Sequence, residues 1–142
     1  MAFDPSLVCF LAATIIVGLL ILISISISKK SGHKFDKENY QIDFMRIENT
    51  LAEDNKLSYA IAIMEGDKLL DRALCELKLP GRTMGDRLKK IDREKFSDIN
   101  AVWRAHKLRN QIAHESNFQV DFHQAKKALI IYKQALKDLG AI

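Results

Sequence analysis

Cysteine and proline are scarce in this sequence: only Cys9 and Cys75, and only two prolines. Two thiols cannot staple a small domain as secreted scaffolds are stapled. Cys9 falls in an apolar run and Cys75 in a predicted helix, so both are expected as small buried hydrophobes in a reducing compartment. Metal-ligand spacing is absent too. His106 and His114 are eight residues apart, about 12 Å along a helix, too far to share one zinc. His33 and His123 add no other ligand pattern, and neither a metal nor a cofactor is expected. The segment Pro80-Gly81-Arg82-Thr83-Met84-Gly85 lacks the Lys-Ser/Thr ending of a nucleotide P-loop, so a turn with an N-cap is expected there. Alternating strand-like runs, internal repeats and low-complexity tracts are also missing, which leaves an all-α chain.

Charge of one sign is not abundant either. The net charge of +4 is too mild to demand a nucleic-acid partner and suits an anionic membrane surface equally well. Its distribution says more. Residues 36–76 hold ten acids and five bases, whereas residues 78–114 hold ten bases and four acids. One part of the chain is acidic and the next basic, a split that solvated helix faces also produce.

A long hydrophobic run occurs once. Leu7 to Ile27 carries neither charge nor proline, and its 21 residues are enough for a transmembrane helix. Ser24, Ser26 and Ser28 can bond back to helix carbonyls without breaking it. Lys29, Lys30 and Lys34 follow, against a lone Asp4 before it, so the positive-inside rule places the N-terminus outside. A cleaved signal peptide is disfavoured by the missing basic n-region, the length of the run and the absence of a small-x-small cleavage site. Gly18 has no second glycine four residues away, so no GxxxG pairing motif is present. The expected organisation is therefore a single N-terminal transmembrane helix at residues 1–28, a basic juxtamembrane linker at 29–36, and a four- to five-helix antiparallel bundle at 37–142. The expected location is the plasma (inner) membrane, with lipid contact through residues 7–27 and the C-terminal domain cytoplasmic.

Within the bundle, a first helix is predicted from Lys37 to Glu53, with Ile42, Met45 and Leu51 among its apolar positions. Ser58 is a candidate N-cap for a second helix over Tyr59–Leu77, whose stripe runs through Ala60, Ile63, Leu70, Leu74 and Leu77. Pro80-Gly81 ends it. Thr83 caps a short helix from Met84 to about Glu94, and Ser97 or Asp98 opens a long one to His114. Asp121 with Gln124 resembles a capping box. It starts a last helix with a stripe at Ala125, Leu129, Tyr132, Leu136 and Leu139, closed by Gly140. Phe96 and Trp103 read as packing residues before base-stacking ones. Glu65, Asp67 and Asp71 read as surface partners of Lys68 and Arg72, with an ion pair to Arg109 as the lesser alternative.

Chemistry concentrates at the end of the fourth long helix, in Arg109-Asn110-Gln111-Ile112-Ala113-His114. At 100° per residue Ala101, Ala105, Leu108 and Ile112 form a core stripe, while Arg109, Asn110 and His114 lie on the other side. Ile99, Val102 and Trp103 share that other side nearer the helix start, so residues 99–114 offer a second sticky face suited to a homodimer. Histidine titrates near neutrality and can move a proton at a ribose hydroxyl or leaving oxygen. Arginine can hold the charge of a pentacoordinate phosphorus, and an asparagine amide can orient either. The bland alternative pairs Arg109 with Glu115 or another acid and uses His114 to cap the helix.

The string HKLRNQIAHE, with its Arg-Asn and Ala-His, resembles the signature of the HEPN family (higher eukaryotes and prokaryotes nucleotide-binding). The preceding A-I-x-x-G-D-K-L-L-D helix and the long following helix add to the resemblance, which covers roughly residues 37–140. The overall pattern also looks like small membrane-anchored bacterial proteins. The resemblance implies an all-α dimer that binds RNA and cleaves it without metal. Arg109 and His114 would be catalytic, with Asn110 as the accessory polar residue. His106, Lys107 and Arg104 are the candidate RNA-binding or accessory residues, although a polar position in the dimer interface is the simpler reading of His106. The alternative is a non-catalytic dimerisation or scaffold module whose face takes a protein partner or antitoxin.

Overall fold

Polar caps and apolar stripes set each helix of the protein, seen here in a computed structural model. The structure describes residues 5–28, 33–52 and 55–142, the outermost positions of the first helix (5–8 and 24–28) by backbone alone. Lys29, Lys30 and most of the expected linker, as well as Asp4 and Glu53, lie outside the described residues. Six α-helices and one 3-10 turn make up the described fold, with no strand among the described residues. They are α1 (Pro5–Ser28), α2 (Lys37–Thr50), α3 (Lys56–Glu76), α4 (Met84–Leu88), α5 (Ile99–His114) and α6 (Phe122–Asp138), the 3-10 turn falling at Arg93–Lys95. The chain divides into two units, Met1–Lys34 and Phe35–Ile142.

The all-α expectation holds, but the transmembrane one is corrected. Among the described residues no helix is long and apolar enough to cross a membrane. A single N-terminal transmembrane helix is therefore not supported. The expected plasma-membrane location, with the N-terminus outside and the C-terminal domain cytoplasmic, rested on that span and is overturned with it.

In the second unit α3 is the hub, packing against α2, α4, α5 and α6. Ile63, Leu70 and Leu74 on α3 are fully buried, as are Leu136 and Tyr132 on α6. They are spaced by four or seven residues along one face of each helix, and their removal from water supplies the main stabilisation. Gly66 permits the close approach of α6: a Cβ there would sit 2.7 Å from the Tyr132 ring. On α2 the inward positions are Tyr40, Phe44 and Ile47. The expected Ile42 and Met45 face outward instead, because the aromatic residues take the core side.

The caps explain the remaining shifts of boundary. Asn55, not Ser58, caps α3, accepting from Leu57 and Ser58 N–H groups. Ser58 is buried one turn inside and donates to the Asn55 carbonyl at 2.6 Å. α4 stops at Leu88, short of Glu94, after a Thr83–Asp86 capping box. Asp98 caps α5, and the Asp121–Gln124 box opens α6. At the end of α6, Gly140 (φ +76°) allows Ala141 N–H to reach the Leu136 carbonyl and Gly140 N–H the Lys137 carbonyl, a Schellman closure. The same closure ends α3 at Lys78 (φ +57°), two residues before Pro80. Neither cysteine is buried as expected: Cys9 and Cys75 are both exposed.

Candidate functional site

The middle of α5 is polar inside the bundle. Asp67, 4% exposed, stands on the core stripe of α3, four residues after Ile63 and three before Leu70. A carboxylate there needs partners, since an unpaired buried charge is costly. It has three. Its Oδ1 lies 2.8 Å from His106 Nδ1 and accepts from Tyr132 OH at 3.3 Å, and its Oδ2 lies 3.4 Å from Arg109 Nε. That last contact is an ion pair without hydrogen-bond alignment, and Nε is otherwise enclosed with no acceptor. Burial, followed by the Asp67 charge, holds the Tyr132 hydroxyl well above the ordinary tyrosine range, so it stays a donor to the carboxylate.

Asn110 continues the chain of contacts. Its amide Nδ2 is 3.3 Å from His106 Nε2, and its Oδ1 accepts from Arg109 Nη1 at 3.1 Å. Arg109 is therefore paired, as the bland alternative held, but with Asp67 and not Glu115, which interacts with Gln111 instead. Its side chain is still 32% exposed. Outside this network lies an open depression of about 390 Å³, lined by Trp103, Arg104, His106, Lys107 and Asn110. The Trp103 indole meets the His106 ring edge-to-face at 6.2 Å. Arg104 and Lys107 are exposed, and Arg104 pairs with Asp98 across 3.4 Å.

The structure thus brings Arg104, His106, Lys107 and Asn110 to one depression, with Arg109 beside it. It does not bring His114 there. His114 is the last residue of α5, is exposed, and its imidazole has no hydrogen-bond partner among the described residues. Five residues separate it from Arg109, about 7.5 Å of rise and about 140° around the axis. Within one chain the two side chains do not converge. The second sticky face is also smaller than expected, because Ile99 and Val102 are buried in the chain's own core. Trp103 remains its half-buried apolar residue.

Two residues outside the sequence-derived site matter here, Asp67 and Tyr132. The neighbouring acids of α3 find other partners, Glu65 with Lys68 at the surface and Asp71 with the largely enclosed Arg87, while Arg72 pairs with Asp43. Among the described residues no group of three His, Cys, Asp or Glu is arranged to hold a metal ion. Comparison with protein-family models, curated proteins and solved structures finds no match to this chain.

Proposed function

We propose that Phe35–Ile142 is an HEPN-like RNA-binding domain that cleaves RNA without metal, as a pair of chains. One observation carries the reading: an exposed, unpartnered His114 ends the same helix on which Asp67 and Asn110 hold a partly exposed Arg109. An acid–base group free to reach substrate and an immobilised cation are the two parts that phosphodiester cleavage requires. Because they diverge within one chain, a second copy must complete the site.

The proposed step is transesterification. The ribose 2′-oxygen attacks phosphorus as one His114 imidazole takes its proton. The bond from phosphorus to the 5′-oxygen breaks, and the other His114, protonated, supplies a proton to that oxygen. A 2′,3′-cyclic phosphate and a 5′-hydroxyl result, and Arg109 stabilises the added negative charge at phosphorus. Arg104 and Lys107 hold flanking phosphates, an attraction that weakens with salt.

The test is cleavage of single-stranded RNA by the full chain in excess chelator. His114→Ala should lose about 10²–10⁴-fold in rate, and equal rates for the two proteins would contradict the reading. A second reading rests on the Asp67–Arg109 pair itself, which already occupies the arginine. In that reading the face is a non-catalytic scaffold for a protein partner. It predicts no cleavage, no salt-dependent RNA binding, and lost assembly when Trp103 or Arg109 is replaced.

A further inference from the structure

Asp67, His106, Asn110 and Arg109 close a ring of contacts. Asp67 Oδ1 meets His106 Nδ1 (2.8 Å), His106 Nε2 meets Asn110 Nδ2 (3.3 Å), Asn110 Oδ1 meets Arg109 Nη1 (3.1 Å), and Arg109 Nε returns to Asp67 Oδ2 (3.4 Å). The donor and acceptor roles around it are not free. A carboxylate only accepts, so Nδ1 must carry a proton. The neutral imidazole then has a bare Nε2, which can only accept. Asn110 must turn its NH2 to that nitrogen and its oxygen to Arg109, whose guanidinium only donates. Since Arg109 Nε lacks hydrogen-bond alignment with Asp67, the Asn110 oxygen is the side chain's one aligned acceptor in the ring.

A second proton on His106 reverses one link. Nε2–H then faces the Asn110 NH2, donor against donor, and turning the amide over sets its NH2 against Arg109 Nη1. Either way one contact of the ring is lost. We propose that Asp67 and His106 are positioning residues for Arg109: the Nδ1–H tautomer of His106, fixed by Asp67, sets the Asn110 amide and thereby helps to hold the guanidinium, and protonation of His106 loosens that hold by costing the ring one of its two Asn110 contacts while the Asp67 ion pair remains. The consequence for RNA cleavage rests on the function proposed above; the ring itself does not.

The groups facing His106 are few. Asp67 comes from α3 and the Tyr132 hydroxyl, bound to the same carboxylate oxygen, from α6. Asn110 and Arg109 lie on α5 itself, with Arg104 and Lys107 exposed along the same depression. From α4, Gly85 lies against the ring, where an added Cβ would stand 3.6 Å from His106 Nε2, and it brings no charge. The depression beside Trp103 brings solvent to His106 and Asn110, which both line it.

The experiment is ¹H–¹⁵N NMR of the full chain, following the His106 ring nitrogens and the Arg109 Nε–H against pH. The expected result is the Nδ1–H tautomer at high pH, and an Arg109 signal that shifts with the same midpoint as His106. In His106→Gln, whose amide can donate to Asp67 and accept from Asn110 without titrating, the Arg109 signal should persist and lose that shift. Asn110→Ala, at a half-buried position, is the second variant: His106 should keep its tautomer while Arg109 stops following it. An Nε2–H tautomer, or an Arg109 titration unchanged in either variant, would overturn the proposal. Absence of RNA cleavage by the wild type would sink the catalytic reading alone, because these signals do not depend on substrate.

Discussion

The two halves of α5 differ in what surrounds them. In the first half Ile99, Ala101, Val102, Ala105 and His106 are buried, and even the histidine there is enclosed by Asp67 and Asn110. In the second half Leu108 to Ile112 are half-buried, and Ala113 and His114 are exposed. One helix thus carries two histidines in opposite situations. His106 is bound into the fold, so replacing it disturbs packing and polar contacts together. His114 touches nothing that the fold requires, so its chemistry can be removed without cost to the structure.

Substitutions can break that comparison, and the largest effect is expected at its exposed end. His114→Ala should reduce RNA cleavage by about 10²–10⁴-fold while changing stability by less than about 0.5 kcal/mol in urea unfolding. Next comes the buried end. Asp67→Ala leaves His106 and Arg109 facing an empty partner position, and should cost about 3 kcal/mol in the same unfolding experiment. A stability change as small as that of His114→Ala would erase the difference between the halves. Gly66→Ala probes the contact behind the network, since the new methyl meets the Tyr132 ring at 2.7 Å and Leu129 at 3.2 Å. Overpacking there should cost about 1–3 kcal/mol, less up to about 1 kcal/mol of helix propensity, read as a lowered melting temperature. Thr83→Ala, which removes half of the α4 capping box, should cost about 1 kcal/mol by thermal unfolding.

The smallest effect is in the pH dependence of stability. The Ala101 backbone N–H holds the Asp98 carboxyl below its ordinary range, and the Thr83 hydroxyl and N–H do the same for Asp86. A lowered folded value means that this stabilisation is fully present above the unfolded value of about 3.9. It is then lost as pH falls through the folded value. The contribution of these two caps to stability should therefore fall away below about pH 4. Asp98→Asn, which keeps a capping oxygen without titrating, should make the acid limb shallower. An unchanged limb would remove Asp98 from the account.

Much of this was legible in the sequence, and the residues show why. Thr83 and the Asp121–Gln124 pair announced helix starts because a cap needs only local chemistry, and the start of α5 was narrowed to Ser97 or Asp98, of which Asp98 caps it. The α3 and α6 stripes followed from period alone. What local chemistry could not fix was the choice among equivalent options. Asn55 and Ser58 are both good caps, and Asn55 takes the position. Asp67 was the costlier case. It sits among Glu65, Lys68, Asp71 and Arg72, so surface pairing was the simpler expectation, although its register with Ile63 and Leu70 already placed it on the core face. Gly66 beside it was the second signal, marking a close helix approach. The apolar run of α1 points the other way: hydropathy predicted a span that the described residues do not supply.

The most direct test of the central claim is the rate of single-stranded RNA cleavage in excess chelator by the full chain, beside its His114→Ala and Arg109→Ala forms. The account predicts products ending in a 2′,3′-cyclic phosphate from the wild type and at least a hundredfold loss in each variant. Cleavage that persists in both variants, or that appears only when a divalent metal is added, would contradict it.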